Sequence, residues 1–207
     1  MSQREPMSID DRRLERVVDF HGHLCPGLAM GVHAAHIALQ EIGPHSTDEE
    51  VVAVVETDMC AVDAIQFLTG CTFGKGNLVH RDYGKNAYTF FRRSDGHAIR
   101  VVGRPDAWQR DPEHQRLFAK VREGSASDAE RARFRDLQQA QSRALLSLDP
   151  HELFFVTEVD GPAPRMARIH ASVPCAQCGE GVMETRVRRL GGRELCQPCF
   201  DTAMADA

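Results

Sequence analysis

Phe20-His21-Gly22-His23-Leu24-Cys25-Pro26-Gly27 is the stretch on which the reading of this chain turns. It puts two imidazoles and a thiol within five residues, on a segment loosened by Gly22 and Gly27. His and Cys together suit zinc or another borderline-soft transition metal. Pro26 fits the first position of a following helix, because the N–H it lacks is one that a helix start leaves unbonded anyway. Cys25 then falls at or beside the N-cap, where free amides and the helix dipole favour a thiolate. The stretch therefore predicts a metal-ligating loop running directly into a helix.

On its N-terminal side, residues 10–19 are expected as a short helix with Leu14, Val17 and Val18 on its apolar face. Residues 28–42 are expected as a second helix, with Leu28, Val32, Ala35 and Leu39 at helical spacing and Gly43-Pro44 as its stop. Val51–Val55 is a β-branched run that reads as a buried strand, and residues 62–68 as an apolar helix. Between them, Thr57-Asp58-Met59-Cys60 repeats the first pattern: a thiol at a helix start. Thr57 or Asp58 is expected to cap that helix, with Cys60 in its first turn and Asp63 one turn on as a hydrogen-bond acceptor behind a ligand. Two thiols at two helix starts are expected to be neighbours in space.

The candidate metal ligands here are His21, His23, Cys25 and Cys60, and the candidate catalytic groups are His23, Cys25 and Cys60. Cys71 is a third thiol for the same site. His33 and His36 are left out as expected surface residues. The loop 70–76 ends in Gly74-Lys75-Gly76 and lacks the GK[ST] ending of a Walker A motif. Its glycines suit close backbone packing in one reading and a phosphate or pterin-anion site in another.

Farther along, residues 86–92 and 98–102 read as paired strands around Ser94-Asp95-Gly96. Residues 112–123 and 128–148 read as helices, the second opened by a capping box of Ser127 and Glu130. Residues 153–159 read as a strand returning to the sheet, and 160–164 as a linker. Two CxxC pairs follow: Cys175 with Cys178, and Cys196 with Cys199, enclosing 17 residues. That is the spacing of a structural zinc site, in which four thiolates close a tetrahedral shell. A hairpin is expected over 183–190 with Gly191-Gly192 at its turn, then a short helix from Cys199. So short a segment needs the metal for its folding energy. The fold class is α+β: a mixed sheet flanked by helices over residues 1–165, then a small treble-clef or zinc-ribbon module over 170–207.

Composition agrees. The chain has 207 residues, 42% hydrophobic and 27% charged, enough for a core and against global disorder. Its formal net charge of -5 argues against a nucleic-acid partner, and Arg186, Arg188, Arg189 and Arg193 read better as a solvated face. No run approaches the roughly 20 apolar residues of a membrane span, and the polar residues 1–19 have no apolar signal-like core. The cytoplasm is expected, where seven cysteines suit metal better than disulfides.

Four segments together resemble the FmdE family, which is named after formylmethanofuran dehydrogenase. They are the opening stretch; Glu56-Thr57-Asp58-Met59-Cys60-Ala61-Val62-Asp63-Ala64-Ile65-Gln66; Thr69-Gly70-Cys71-Thr72-Phe73-Gly74-Lys75-Gly76-Asn77; and Asp82-Tyr83-Gly84-Lys85. The resemblance implies an α+β core, a site around the His/Cys motif able to hold a metal, an optional treble-clef finger and a homodimer. It also implies a protein partner among molybdenum or tungsten pterin enzymes. A metal-free sulfur carrier using Cys25, with His23 as base, and a non-catalytic accessory protein of a larger enzyme are the alternatives.

Overall fold

Val51–Val55 (β1) is buried at all five positions, as a β-branched run flanked by other strands requires. It pairs in parallel with Leu78–His80 (β2) and antiparallel with Ala87–Arg92 (β3). Ala98–Gly103 (β4) follows β3 antiparallel, and Phe154–Glu158 (β5) closes the sheet in the order β2-β1-β3-β4-β5. The computed structural model describes residues 10–107 and 111–205. The outer ends of the two expected domains, residues 1–9 and 206–207, lie outside them.

Alternation along the strands sorts the two faces. Ala53, Val55, Phe90, Tyr88, Ile99 and Val101 join the helices in one core. On the opposite face, Glu56 accepts both guanidinium bonds of Arg100 at 2.9 Å each, a bidentate pair that ties β1 to β4 across β3.

The helices are Asp11–His21 (α1), Pro26–Glu41 (α2), Ala61–Thr69 (α3), Pro112–Arg122 (α4), Asp128–Leu146 (α5) and the short Pro150–Leu153 (α6). The capping box expected at Ser127 and Glu130 is present. β2 has no counterpart among the expected strands, since three residues with one buried side chain carry no period.

His33, expected at the surface, is fully buried in α2, and its Nε2–H donates to the Leu145 carbonyl of α5 at 2.9 Å. Burial holds its pKa below the ordinary value, against that hydrogen bond, which raises it. As pH falls below about 6.5, the unfolded chain takes up a proton that the folded one refuses, so stability drops. Thermal unfolding between pH 7 and 5 should show this slope, up to about 1.4 kcal/mol per pH unit, and His33→Gln should reduce it, leaving the share of His36, whose pKa burial also lowers. An unchanged slope would remove His33 as the cause.

A second unit spans Ala167–Ala207, after a first of Met1–Met166. Its elements are Ser172–Pro174 (β6) paired with Gly181–Met183 (β7), a 3-10 turn at Glu184–Arg186, and Arg188–Leu190 (β8) paired with Arg193–Leu195 (β9). Gln197–Ala205 (α7) follows. The expected hairpin is thus shifted. Met183 pairs back onto Ser172 in the hairpin that carries the first CxxC, and Gly191-Gly192 turns β8 into β9. Two hairpins and a helix make a treble clef.

Candidate metal centres

Cys25 is the N-cap of α2, with Pro26 at the first helical position, as the sequence predicts. Its Sγ accepts the Leu28 N–H at 3.3 Å. Cys60 is the residue before α3 and takes the N-cap position itself, with no side-chain cap. Thr57 accepts the Met59 N–H instead of capping the helix. The two helix starts meet because α2 presents Gly27 and Gly31, one turn apart, to α3. A Cβ on Gly27 would sit 3.1 Å from Cys60 Cβ, and one on Gly31 would sit 2.3 Å from the Ala61 carbonyl oxygen. From sequence, Gly27 reads only as a loosening residue and Gly31 as an ordinary helix position. Their i,i+4 spacing is the signal that links them.

Three side chains converge there. One ligand atom each of His21, Cys25 and Cys60 lies within 4.8 Å of the others, and Cys25 Sγ is 3.8 Å from His21 Nε2. Zinc bond lengths of about 2.3 Å to sulfur and 2.0 Å to nitrogen set tetrahedral donor spacings of about 3.5–3.8 Å, so small side-chain adjustments bring the donors onto one ion. His21 Nδ1 is 2.7 Å from Asp63 Oδ2, and donation to that carboxylate leaves Nε2 as the lone-pair atom facing the thiols. A carboxylate behind a ligating imidazole fixes its tautomer and ring orientation. The donor set therefore fits a borderline-soft transition metal.

Cys25 is 4% exposed, and that burial pushes its thiol up to about 11, against the lowering bond from Leu28 and with Cys60 adding to the rise. The N-cap position, expected to favour a thiolate, is outweighed by desolvation. His23 is not brought into the group. It is exposed, with its ring centroid 4.8 Å from that of His21. Cys71 is fully buried under β1, with its Sγ–H donating to the Val51 carbonyl at 3.4 Å. Asp58 is exposed. A cavity of about 200 Å³, walled by Gly27, Met59, Phe118 and Phe134 among others, reaches Cys60.

In the second unit, Cys175, Cys178, Cys196 and Cys199 form a four-sulfur group, with Cys178 Sγ 3.9 Å from Cys196 Sγ. That is close to the about 3.8 Å edge of a zinc–sulfur tetrahedron and far from the about 2.05 Å of a disulfide. Gly179 takes φ 78, the left-handed turn that a cysteine knuckle needs. Backbone N–H groups of Cys178, Cys196 and Gln177 hold the Cys175 thiol down at about 6, while Cys199, crowded by Cys196 and the other thiols, is pushed up to about 12. Zinc is held by thiolates, so loading this group releases protons.

Fold and sites together define a protein with an α+β core carrying a His/Cys corner, followed by a C4-type zinc finger. The chain belongs to the FmdE family: residues 20–155 match the family described as FmdE, molybdenum formylmethanofuran dehydrogenase operon. Residues 169–203 match the prokaryotic DksA/TraR C4-type zinc finger. A curated relative from Archaeoglobus fulgidus, a probable S-adenosyl-L-methionine-binding protein, is 36% identical over 196 residues. The match covers 90% of this chain and 53% of the relative, so the chain spans about half that protein's length. The crystal structure of a tungsten formylmethanofuran dehydrogenase FmdE-like protein from Syntrophus aciditrophicus superposes with a TM-score of 0.61 at 23% identity. That match covers 98% of each chain and shows a shared fold. Among the described residues, no helix is long and apolar enough to cross a membrane.

Proposed function

We propose that His21, Cys25 and Cys60 hold a second metal ion, zinc or another borderline-soft transition metal, and that the chain uses it on a small ligand. The observation that carries this reading is the convergence of three donors with a carboxylate, Asp63, behind the imidazole. Three protein ligands are the count of catalytic zinc sites, which keep one position open, whereas the four sulfurs of the finger close theirs. A metal so held supplies Lewis-acid activation of its ligand. Cys25 and Cys60 act as its thiolate donors, and Asp63 orients His21. His23, exposed beside His21, is placed in this reading at the rim as a proton-transfer group.

A homodimer in the cytoplasm, and work alongside a molybdenum or tungsten enzyme, belong to the same proposal. The second rests on the family description and the solved relative's name. The sulfur-carrier alternative needs a ready thiolate at Cys25, and burial opposes that by raising its pKa to about 11.

The test is metal affinity at the first site, measured by chelator competition on the full chain. Asp63→Asn should weaken it about 10–100-fold, while His23→Ala should leave it within about twofold, since the exposed ring holds no ligand position in this reading. Equal affinity in Asp63→Asn and the parent would end the assignment of His21 as an oriented ligand.

A further inference from the structure

Away from the His/Cys corner, α1 and α3 enclose a cavity of about 590 Å³ lined by Arg13, Arg16, Phe20, His45, Phe67 and Lys75, among others. Small-molecule sites usually fall between about 300 and 1,000 Å³. The two arginines and the phenylalanine stand on one stripe of α1, at spacings of three and four residues. The acidic residues of that helix, Asp11, Glu15 and Asp19, run at i,i+4 along a different stripe. Among the described residues, neither Arg13 nor Arg16 makes a salt bridge; Arg16 lies over the Phe67 ring at 5.3 Å.

The far wall is built from the glycine loop after α3. Gly70 takes φ 73, and a side chain there would strike the Ser46 carbonyl and the His45 ring. This close approach lets residues 45–47 fold over the helix end. There His45 Nδ1–H donates to the Leu68 carbonyl and the Ser46 N–H to the Thr69 carbonyl. Two carbonyls at the negative end of α3 are thus occupied. Lys75 is held by the Ser46 and Thr47 carbonyls at 2.9 and 3.4 Å, which leaves it a donor. Glu50 offsets part of its charge from behind, with its carboxylate engaged by Ser46 Oγ–H and the Asp48 N–H. Phe20 is 55% exposed, tilted against Phe67 with centroids 5.7 Å apart.

We infer that this cavity is a binding site for a nucleoside phosphate. Arg13, Arg16 and Lys75 meet the phosphates, and the base lies against Phe20 and Phe67. Arginine recognises phosphate through paired, charge-assisted bonds, and an exposed aromatic ring stacks on a base of any kind. A free mononucleotide fits better than a strand. The cavity of about 590 Å³ is of small-molecule size, and the net charge of -5 opposes a polyanion.

Calorimetric titration of the full, zinc-loaded chain tests this with ATP, GTP, CTP and UTP, and with adenosine and inorganic phosphate as fragments. At least one triphosphate should bind saturably, and each fragment should bind about tenfold weaker or worse. Arg13→Ala/Arg16→Ala should lower affinity by about tenfold or more, and Cys25→Ser/Cys60→Ser should leave it unchanged. Four outcomes would overturn the site: no saturation by any nucleotide, affinity indifferent to the two arginines, affinity lost with the two cysteines instead, or a ten-residue oligothymidylate binding more tightly than every mononucleotide.

Discussion

Stripping zinc with a strong chelator will unfold the Ala167–Ala207 unit and leave the five-stranded sheet of the first unit intact. Leu195 and two cysteines are the buried hydrophobic core of the second unit, with Val182, Leu190, Phe200 and Ala203 only partly covered. Full burial of one Leu contributes about 1.5–3 kcal/mol. Zinc binding to a four-thiolate site contributes on the order of 10–16 kcal/mol. The metal therefore dominates, and no rearrangement of so few apolar side chains replaces it. Cys196→Ser should act like the chelator, because it removes one of the four sulfur ligands. Amide exchange is the direct readout. Protection in β6 to β9 and α7 should vanish while β1, β3 and β4 keep theirs. Retained protection in the metal-free finger would mean that side-chain packing holds it.

Gly31→Ala will destabilise the first unit by about 3 kcal/mol, the upper part of the usual overpacking range. Helix propensity alone predicts the opposite sign, since alanine in a helix interior gains about 1 kcal/mol over glycine. The clash decides the sign. The added Cβ would lie 2.3 Å from the Ala61 carbonyl oxygen and 2.6 Å from its Cα, atoms of a helix backbone that cannot swing aside. The only relief is to lift α3 from α2. Cys60 stands one residue before Ala61, so that movement also opens the Cys25–Cys60 approach. The urea midpoint should fall, and metal affinity at the first site should fall with it. Equal or greater stability in the variant would show that the helices are not held together at this point.

Much of this is legible in the sequence because its signals are local. Pro26 after Cys25 announces the start of α2, the Val51–Val55 run announces a buried strand, and Ser127 with Glu130 announces α5. The CxxC spacing contains the finger outright. What escapes depends on tertiary neighbours. β2 exists because β1 offers an edge, not because three residues prefer a strand. His33 is buried because α5 crosses over it with a carbonyl to accept its N–H. At the site, the pairing of Cys25 with Cys60 and the acceptor role of Asp63 follow from helix starts and one-turn spacing. The exposure of His23 does not, because Gly22 takes the left-handed φ of 94 that ends α1, and the sequence does not say which of two histidines that turn keeps inside. Nor does the high pKa of Cys25, because an N-cap amide and burial act in opposite directions and only packing sets the balance.

Metal content per chain is the most direct test of the two-centre account. Elemental analysis of the full chain, purified without chelator from zinc-supplemented cells, should give two ions per chain. Cys25→Ser/Cys60→Ser should give one, with the finger still folded by amide exchange. One ion per chain in the parent, unchanged in that variant, would show that sulfur and imidazole meet at the starts of α2 and α3 without taking a metal.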